Sequence, residues 1–495
     1  MIPNIERNRE SLAIPLTNSK FTTAVVVSCS CLAFRSVLDH SQMGDHLMKS
    51  LSLSALAAVG VLAGMTAANA ADLGGNCCAD LEERIAELEA TTARKGNRKV
   101  SLTVSGWVSQ QVTIWDDGVR TKAYVADLGG TINSNVRFTG QAQINSEWSA
   151  GYVLHIETYN NDPLLISNDN VTKNTDAAVG GSGGSVGVLQ SFWFLKSNQL
   201  GKLSVGKQSS AGDNVAILPD GSGSLLQSLY VLYENNSFFI RNKAGALTGL
   251  QWGQLATCPG IQAGVSADCD GVPNNNVRYD TPVFGGFSAS ASWGESDIWA
   301  VAGRYSGDFH EFKLAAAIGY TETTNNLIPD TNPLDPNNNF RVRGGALQIG
   351  AYLQHVPTGL FVYGAYGKDY NTHVSSFAGK PDGDNFYIKG GIRQKWSPLG
   401  HTVLYGLYGE NNNKQSIANW ESGITGSNIS QWSLGVVQEI DAAAMSLWVV
   451  YSNFSADVTC NTAVNLKTCA NTGIVNGKNS FDDFSSVKIG GLINF

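Results

Sequence analysis

The stretch VSLTVSGWVSQQVTI, residues 100–114, decides the fold. Val100, Leu102, Val104, Val108, Val112 and Ile114 occupy even positions, while Ser101, Thr103, Ser105, Ser109, Gln111 and Thr113 occupy odd ones. A period of two sends successive side chains to opposite faces of an extended chain, so this is a strand with one apolar and one polar face. The pattern returns downstream. Val136, Phe138, Ala142 and Ile144 oppose Arg137, Thr139, Gln141, Gln143 and Asn145. Phe386, Ile388 and Ile392 oppose Tyr387, Lys389, Arg393 and Lys395, and Trp432, Leu434, Val436 and Ile440 oppose Gln431, Ser433 and Glu439.

Alternation alone fits either a soluble sandwich with its apolar face inside or a membrane barrel with that face toward lipid. Loop lengths separate the two. Sixteen strands are predicted, near 100–115, 132–147, 151–159, 188–198, 202–210, 274–282, 286–295 and 298–306. The second half follows near 309–321, 341–355, 359–370, 385–396, 400–409, 429–441, 444–454 and 483–495. Connections after even strands are short, among them Ser149-Ala150, Gly307-Asp308, Pro357-Thr358 and Ala442-Ala443. Those after odd strands are mostly long and polar, as at 160–187, 211–273, 322–340, 371–384, 410–428 and 455–482, with 295–298 as the exception. Short periplasmic turns and long external loops characterise outer-membrane barrels. Residues 100–495 are therefore read as an all-β, 16-stranded antiparallel transmembrane β-barrel, with both barrel ends in the periplasm.

The chain upstream of the barrel divides into three parts. Met48-Lys49, the apolar run Leu51 to Met65 and the ending Ala68-Asn69-Ala70 read as a signal peptide over 48–70, cleaved after Ala70. Residues 1–47 read as a non-native upstream extension. Residues 71–99 read as a short periplasmic coiled-coil segment. Leu81, Ile85 and Leu88 follow one another at spacings of four and three, the seam of a coiled coil. Two heptads are marginal alone, so several copies held together are expected.

After Ala70 no apolar run approaches the ~20 residues a spanning helix needs. Removing the five basic and four acidic residues of the first seventy leaves 28 basic and 37 acidic residues, a balance of −9. No basic stripe is present, so nucleic acid is not an expected partner. Of the six cysteines after Ala70, Cys258 with Cys269 and Cys460 with Cys469 lie eleven and nine residues apart in polar segments. That spacing suggests two local disulfides in an oxidising compartment, with metal binding as the rival reading. Cys77 and Cys78 are left either to link protomers or to a local role.

The block NNVRYDTPVFGGFSASASWGESDIWAVAGRYSGDF (275–309) resembles the repeated hairpins of alphaproteobacterial outer-membrane porins, as do SFWFLKSNQLGKLSVGKQS (191–209) and the final KIGGLINF. The resemblance runs from about Val100 to Phe495. It implies a trimeric, water-filled channel for passive diffusion of small hydrophilic solutes and ions, with the third external loop folded into the lumen. The implied partners are further copies of the chain, outer-membrane lipid and lipopolysaccharide, and the barrel-assembly machinery, which would read Phe495 at the end of the last strand. The coiled coil adds the cell wall as a possible partner. No cofactor or metal is implied.

The chemistry of such a pore lies at its constriction. Loop 211–273 carries Asp213, Asp220 and Glu234, followed by Arg241 and Lys243. Alternation places Arg137, Arg278, Arg304, Lys389, Arg393 and Lys395 on the lumen face. Acids on the loop facing bases on the wall would set a field across the passage; ordinary pairing among lumen charges is the plainer reading. Two further channel readings stand beside general diffusion, a substrate-selective channel and an envelope-tethering barrel. An enzyme is the less favoured class. His155 beside Glu157 is the nearest approach to a base with a companion, and the glycine-rich 180–184 has no helix after it to cradle phosphate. The acidic loop 330–338 lacks a recognised calcium order.

Overall fold

A strand with an open edge in lipid leaves backbone N–H and C=O groups unsatisfied, so amphipathic strands in a membrane pair until no edge remains. The computed structural model of the protein describes residues 99–495 except 160–161, 170–185, 229–232, 257, 259–268, 270, 329–339, 372–381, 415–422 and 462–472. The upstream extension, the signal peptide, the seam of Leu81, Ile85 and Leu88, and Cys77, Cys78 and Cys469 lie outside the described residues.

The chain runs through β1 (Ser101–Asp116), β2 (Thr121–Ala126), β3 (Asn135–Gln143), β4 (Trp148–Thr158), β5 (Val186–Ser197) and β6 (Gly201–Gln208). A small hairpin follows, β7 (Phe239–Arg241) and β8 (Leu247–Gln251). Next come β9 (Asn274–Asp280), β10 (Phe287–Gly294), β11 (Trp299–Phe309), β12 (Phe312–Ile328), β13 (Phe340–His355) and β14 (Leu360–Asn371). The chain ends with β15 (Gly383–Ser397), β16 (Gly400–Asn412), β17 (Ile424–Ile440), β18 (Met445–Cys460), β19 (Gly477–Ser480) and β20 (Phe484–Asn494).

All of these except β2, β7, β8 and β19 form one antiparallel wall, closed where β20 pairs with β1 through Val112 opposite Ile489. The wall has the sixteen strands expected from the alternation. At the seam, Gly106 and Phe495 exchange backbone hydrogen bonds of 3.0 and 3.1 Å. A Cβ on Gly106 would strike the Asn135 carbonyl and crowd the Phe495 ring.

Several boundaries differ from the expected ones: β12 and β18 run on to Ile328 and Cys460, past the expected 321 and 454, and β17 begins at Ile424 rather than 429. Three others have a local cause. The turn after β11 falls at His310-Glu311, because Gly307 and Asp308 are paired with Leu314 and Lys313 in the ladder. The turn after β3 precedes Ser149 and Ala150, which belong to β4. The second wall strand begins at Asn135 rather than 132, because the chain first pairs β2 beside the upper half of β1 and then leaves the wall over 127–134.

The wall is uneven in height. Strands β3, β6, β9 and β10 have 9, 8, 7 and 8 residues, against 17, 16, 17 and 16 in β12, β13, β17 and β18. At roughly 3.3 Å per residue the tall strands are about twice as long as the low ones.

Outward faces are apolar, as lipid requires; Val108, Ile388 and Leu434 are exposed. The inner face is less uniform than alternation suggested. On the tall side it carries Val403, Leu407, Val437, Trp448, Val450 and Phe454, all buried. Apolar side chains point inward there because the third long connection lies on them and excludes water.

Candidate pore constriction

Over its described residues, the connection from β6 to β9, within 209–273, folds inside the barrel. Its path can be followed from the wall residues that grip it. Arg278 donates to the Ser209 and Ser210 carbonyls at 3.2 and 2.9 Å, and Arg304 donates to the Ala211 carbonyl at 2.8 Å. The Tyr363 hydroxyl donates to the Ala216 carbonyl at 2.6 Å, and Gly350 leaves room for that carbonyl, which any Cβ there would strike. Farther round, Tyr387 donates to the Ser228 carbonyl at 2.7 Å. A glycine turn at Gly221 and Gly223 rests on Tyr352, Arg393 and Glu439.

Two acids of this loop, Asp220 and Glu234, bind the wall directly. Asp220 pairs with Lys389, and both side chains are fully buried. Lys389 also donates to the Ser224 and Ser228 hydroxyls at 3.0 and 2.9 Å, with the rings of Tyr405 and Tyr363 at 5.4 and 5.7 Å. Glu234 pairs with Lys488 at 2.6 Å and accepts from the Ser452 and Ser486 hydroxyls at 3.0 and 2.8 Å. Asp213 is buried and accepts from the Asn214 amide at 2.7 Å. The expected facing of acids and bases across water is thus replaced by direct contact. Acidic loop residues and basic wall residues fasten the loop to the wall.

The other expected wall bases divide in the same way. Arg393 makes a two-pronged pair with Glu439 at 3.1 and 2.7 Å, and Lys395 pairs with Asp441 at 3.0 Å on the exposed rim. Arg278 pairs with Asp280 at 2.8 Å. Arg137 and Arg304 have no carboxylate within ion-pair distance among the described residues. Arg304 also donates to the Ser290 hydroxyl at 2.9 Å. On the loop, Leu218 is 61% exposed and Asn214 half-buried, while Ile217 packs against the buried cluster that includes Tyr352 and Tyr363.

The limb returning to β9 holds the β7–β8 hairpin against an aromatic cluster. Phe238 meets Trp115 and Phe484 edge-on with ring centroids 4.9 Å from each. Arg241 pairs with Asp117 at 2.8 Å, both buried, and Lys243 reaches Asp482 at 3.6 Å on the surface. Burial alone would push the Asp117 carboxyl up, but Asn168, the backbone N–H groups of Arg120 and Val119, and Arg241 hold it below its ordinary value. Cys258 and Cys269 form a buried disulfide. Lys414, paired with Asp369 and fully buried, stands 3.6 and 3.4 Å from those sulfurs. Cys460 is also disulfide-bonded.

A second inward segment, 127–134, was not anticipated. Trp107 donates to the Ile132 carbonyl at 3.2 Å, and Thr131 touches Tyr233 of the long loop at 3.1 Å. Glu157 accepts from the backbone N–H of Asn133 and Thr131 at 2.7 and 3.1 Å. Glu157 is therefore a holder of this segment. His155 Nδ1 lies 3.4 Å from Arg137, and among the described residues its Nε2 has no hydrogen-bond partner and neither ring nitrogen meets a hydroxyl.

Sequence reasoning passed over Lys488, Asp369 and Lys414, and placed Glu439 on the polar face without giving it a role. Lys488 had a signal, because it alternates with Val487 and Ile489 in the final strand. Lys414 had none, since it lies beyond the end of its strand.

The family model for Gram-negative porins matches residues 53–439. Among solved structures, OmpT of Vibrio cholerae is 12% identical, with 81% of this chain and 99% of that one covered and a TM-score of 0.47. The anion-selective porin from Comamonas acidovorans is 15% identical, with 80% and 100% covered and a TM-score of 0.46. Salmonella typhi OmpF is 13% identical, with 81% and 99% covered and a TM-score of 0.45. No curated protein matches the sequence.

Proposed function

The chain belongs to the Gram-negative porin family, and from that membership we propose that it works as a homotrimeric diffusion pore with loop 209–273 as its eyelet. As a porin it is a passive channel of the outer membrane, crossing with strands. The observation that carries the eyelet reading is the loop's lopsided seat. Its acids Asp220 and Glu234 bind the wall through Lys389 and Lys488, while on the low side Arg278 and Arg304 hold the loop backbone and Arg137 is left without a carboxylate partner among the described residues. Because Asp220 and Glu234 are neutralised at the wall, the passage favours anions. Small hydrophilic solutes move through it down their gradients.

The trimer reading is supported by wall height. A membrane strand needs about 9–11 residues, and β6, β9 and β10 have 8, 7 and 8. A side this low is better covered by a second copy than by lipid. The coiled coil over 71–99 would join three copies in the periplasm after cleavage of the signal peptide at Ala70, and it offers a contact to the cell wall. The quoted hairpins favour an alphaproteobacterial member of the family. Phe495, closing the seam with its ring exposed, suits an assembly signal read by the barrel-assembly machinery, and the outward apolar faces suit lipid and lipopolysaccharide.

Single-channel recording in planar bilayers under a salt gradient tests the proposal. Conductance steps in triplets with an anion-signed reversal potential are expected. Silence from heat-modifiable protein would remove the pore reading and favour the envelope tether; single steps would remove the trimer.

A further inference from the structure

Resting on the pore reading above, we propose that the passage selects amphipathic organic anions, taking the carboxylate on Arg137 and the apolar body on Leu218. The two residues come from opposite sides of the barrel. Leu218 lies two residues after Ala216, whose carbonyl sits against Gly350 of β13 and Tyr363 of β14. In the closed sixteen-strand order, β3, which carries Arg137, is eight strands from β13 in either direction. Their depths also correspond. Gly350 lies five positions from His355 at the periplasmic end of β13, and Arg137 lies six from Gln143 at the end of β3.

The chemistry of the two sides differs. Leu218 is 61% exposed on the inward loop, and the charged Asp220 and Glu234 of its own loop face away from it into the wall. An apolar surface kept open to water at a narrowing rewards a solute able to cover it. Across the passage, Arg137 has no carboxylate partner among the described residues, and its buried Nε has no hydrogen-bond partner. Its recorded contact is His155, 3.4 Å from one terminal nitrogen. A guanidinium in that position binds a carboxylate through paired, charge-assisted hydrogen bonds. A purely inorganic anion would use only the arginine; a neutral apolar solute would use only the leucine.

The test uses the full-length protein in planar bilayers with chloride as the current carrier. Benzoate, acetate and benzylammonium are added in turn. Benzoate is expected to block saturably, acetate only at a concentration about tenfold higher, and benzylammonium not at all. L218N should raise the half-blocking concentration of benzoate toward that of acetate and leave acetate unchanged. R137Q should weaken block by both anions and shift the reversal potential toward cations. An open channel blocked equally by benzoate and acetate, or an L218N channel blocked by benzoate as before, overturns this inference while the pore reading stands. A folded protein without conductance overturns the pore reading itself.

Discussion

Lys389 of β15 and Asp220 of the inward loop form an ion pair from which water is wholly excluded. The lysine's remaining donors go to Ser224 and Ser228 of the same loop. One wall side chain thus holds three points on the loop, and taking either charge away leaves the other stranded among tyrosines.

Removing one partner of a buried ion pair costs about 3–5 kcal/mol, mostly through the uncompensated charge left behind. K389M should therefore release the middle of the loop, giving larger and noisier single-channel conductance while the barrel still resists denaturation by mild detergent. K389M combined with D220L should restore a quiet channel. A quiet K389M channel of ordinary conductance would show that the pair does not hold the eyelet.

Gly223 has φ +80°, and a Cβ there would come 2.5 Å from Glu439 Oε1 and 3.0 Å from Arg393 Nε. G223A meets both the left-handed backbone penalty of about 1–2 kcal/mol and that collision. The turn should lift off the wall and split the Arg393–Glu439 pair. The check is conductance together with salt dependence, both of which should change in G223A and neither in an alanine at the surface turn residue Gly285, which has open space around it.

The Cys258–Cys269 disulfide closes a loop of eleven residues. A cross-link of that span is worth about 3 kcal/mol in restricting the unfolded chain. The serine double variant C258S/C269S should lower the temperature at which the barrel loses its compact mobility on gels. Its conductance should stay near wild type, because Asp220, Ser224 and Ser228 are held separately by Lys389. Equal melting with and without the bond would refute the first expectation.

The lowered Asp117 sets a pH dependence for the β7–β8 hairpin. A carboxyl whose folded value is depressed contributes stability that is complete above its unfolded value, about pH 4, and disappears as pH falls through the lower folded value. Hydrogen exchange over 239–251 should therefore accelerate as pH falls from about 4, after correction for the intrinsic rate. D117N should be loose at every pH and lose that acid step.

The strands, their inward and outward faces and their number were legible because a period of two is a local property. Each residue reports its own face, and Lys389 and Arg393, which reach the inward loop, were placed on the lumen side by counting alone, whereas Lys395 lies on the exposed rim beyond a break in the ladder. The turn at His310 was misread because Gly307 and Asp308 are good turn residues that the ladder overrides. The inward-facing Trp448, Val450 and Phe454 ran against the expectation of a polar lumen, since what covers them comes from more than a hundred residues away in sequence.

What the sequence determined by itself is the closed sixteen-strand wall, because alternation, loop length and the lack of any spanning helix all act through nearest neighbours along the chain. The tertiary structure decided which charges meet. Asp220 with Lys389, Glu234 with Lys488 and Asp117 with Arg241 join residues more than a hundred positions apart. Their pairing depends on the path of one long loop across the lumen, and Coulomb attraction between partners that need only approach in space leaves no periodic trace in the order of residues.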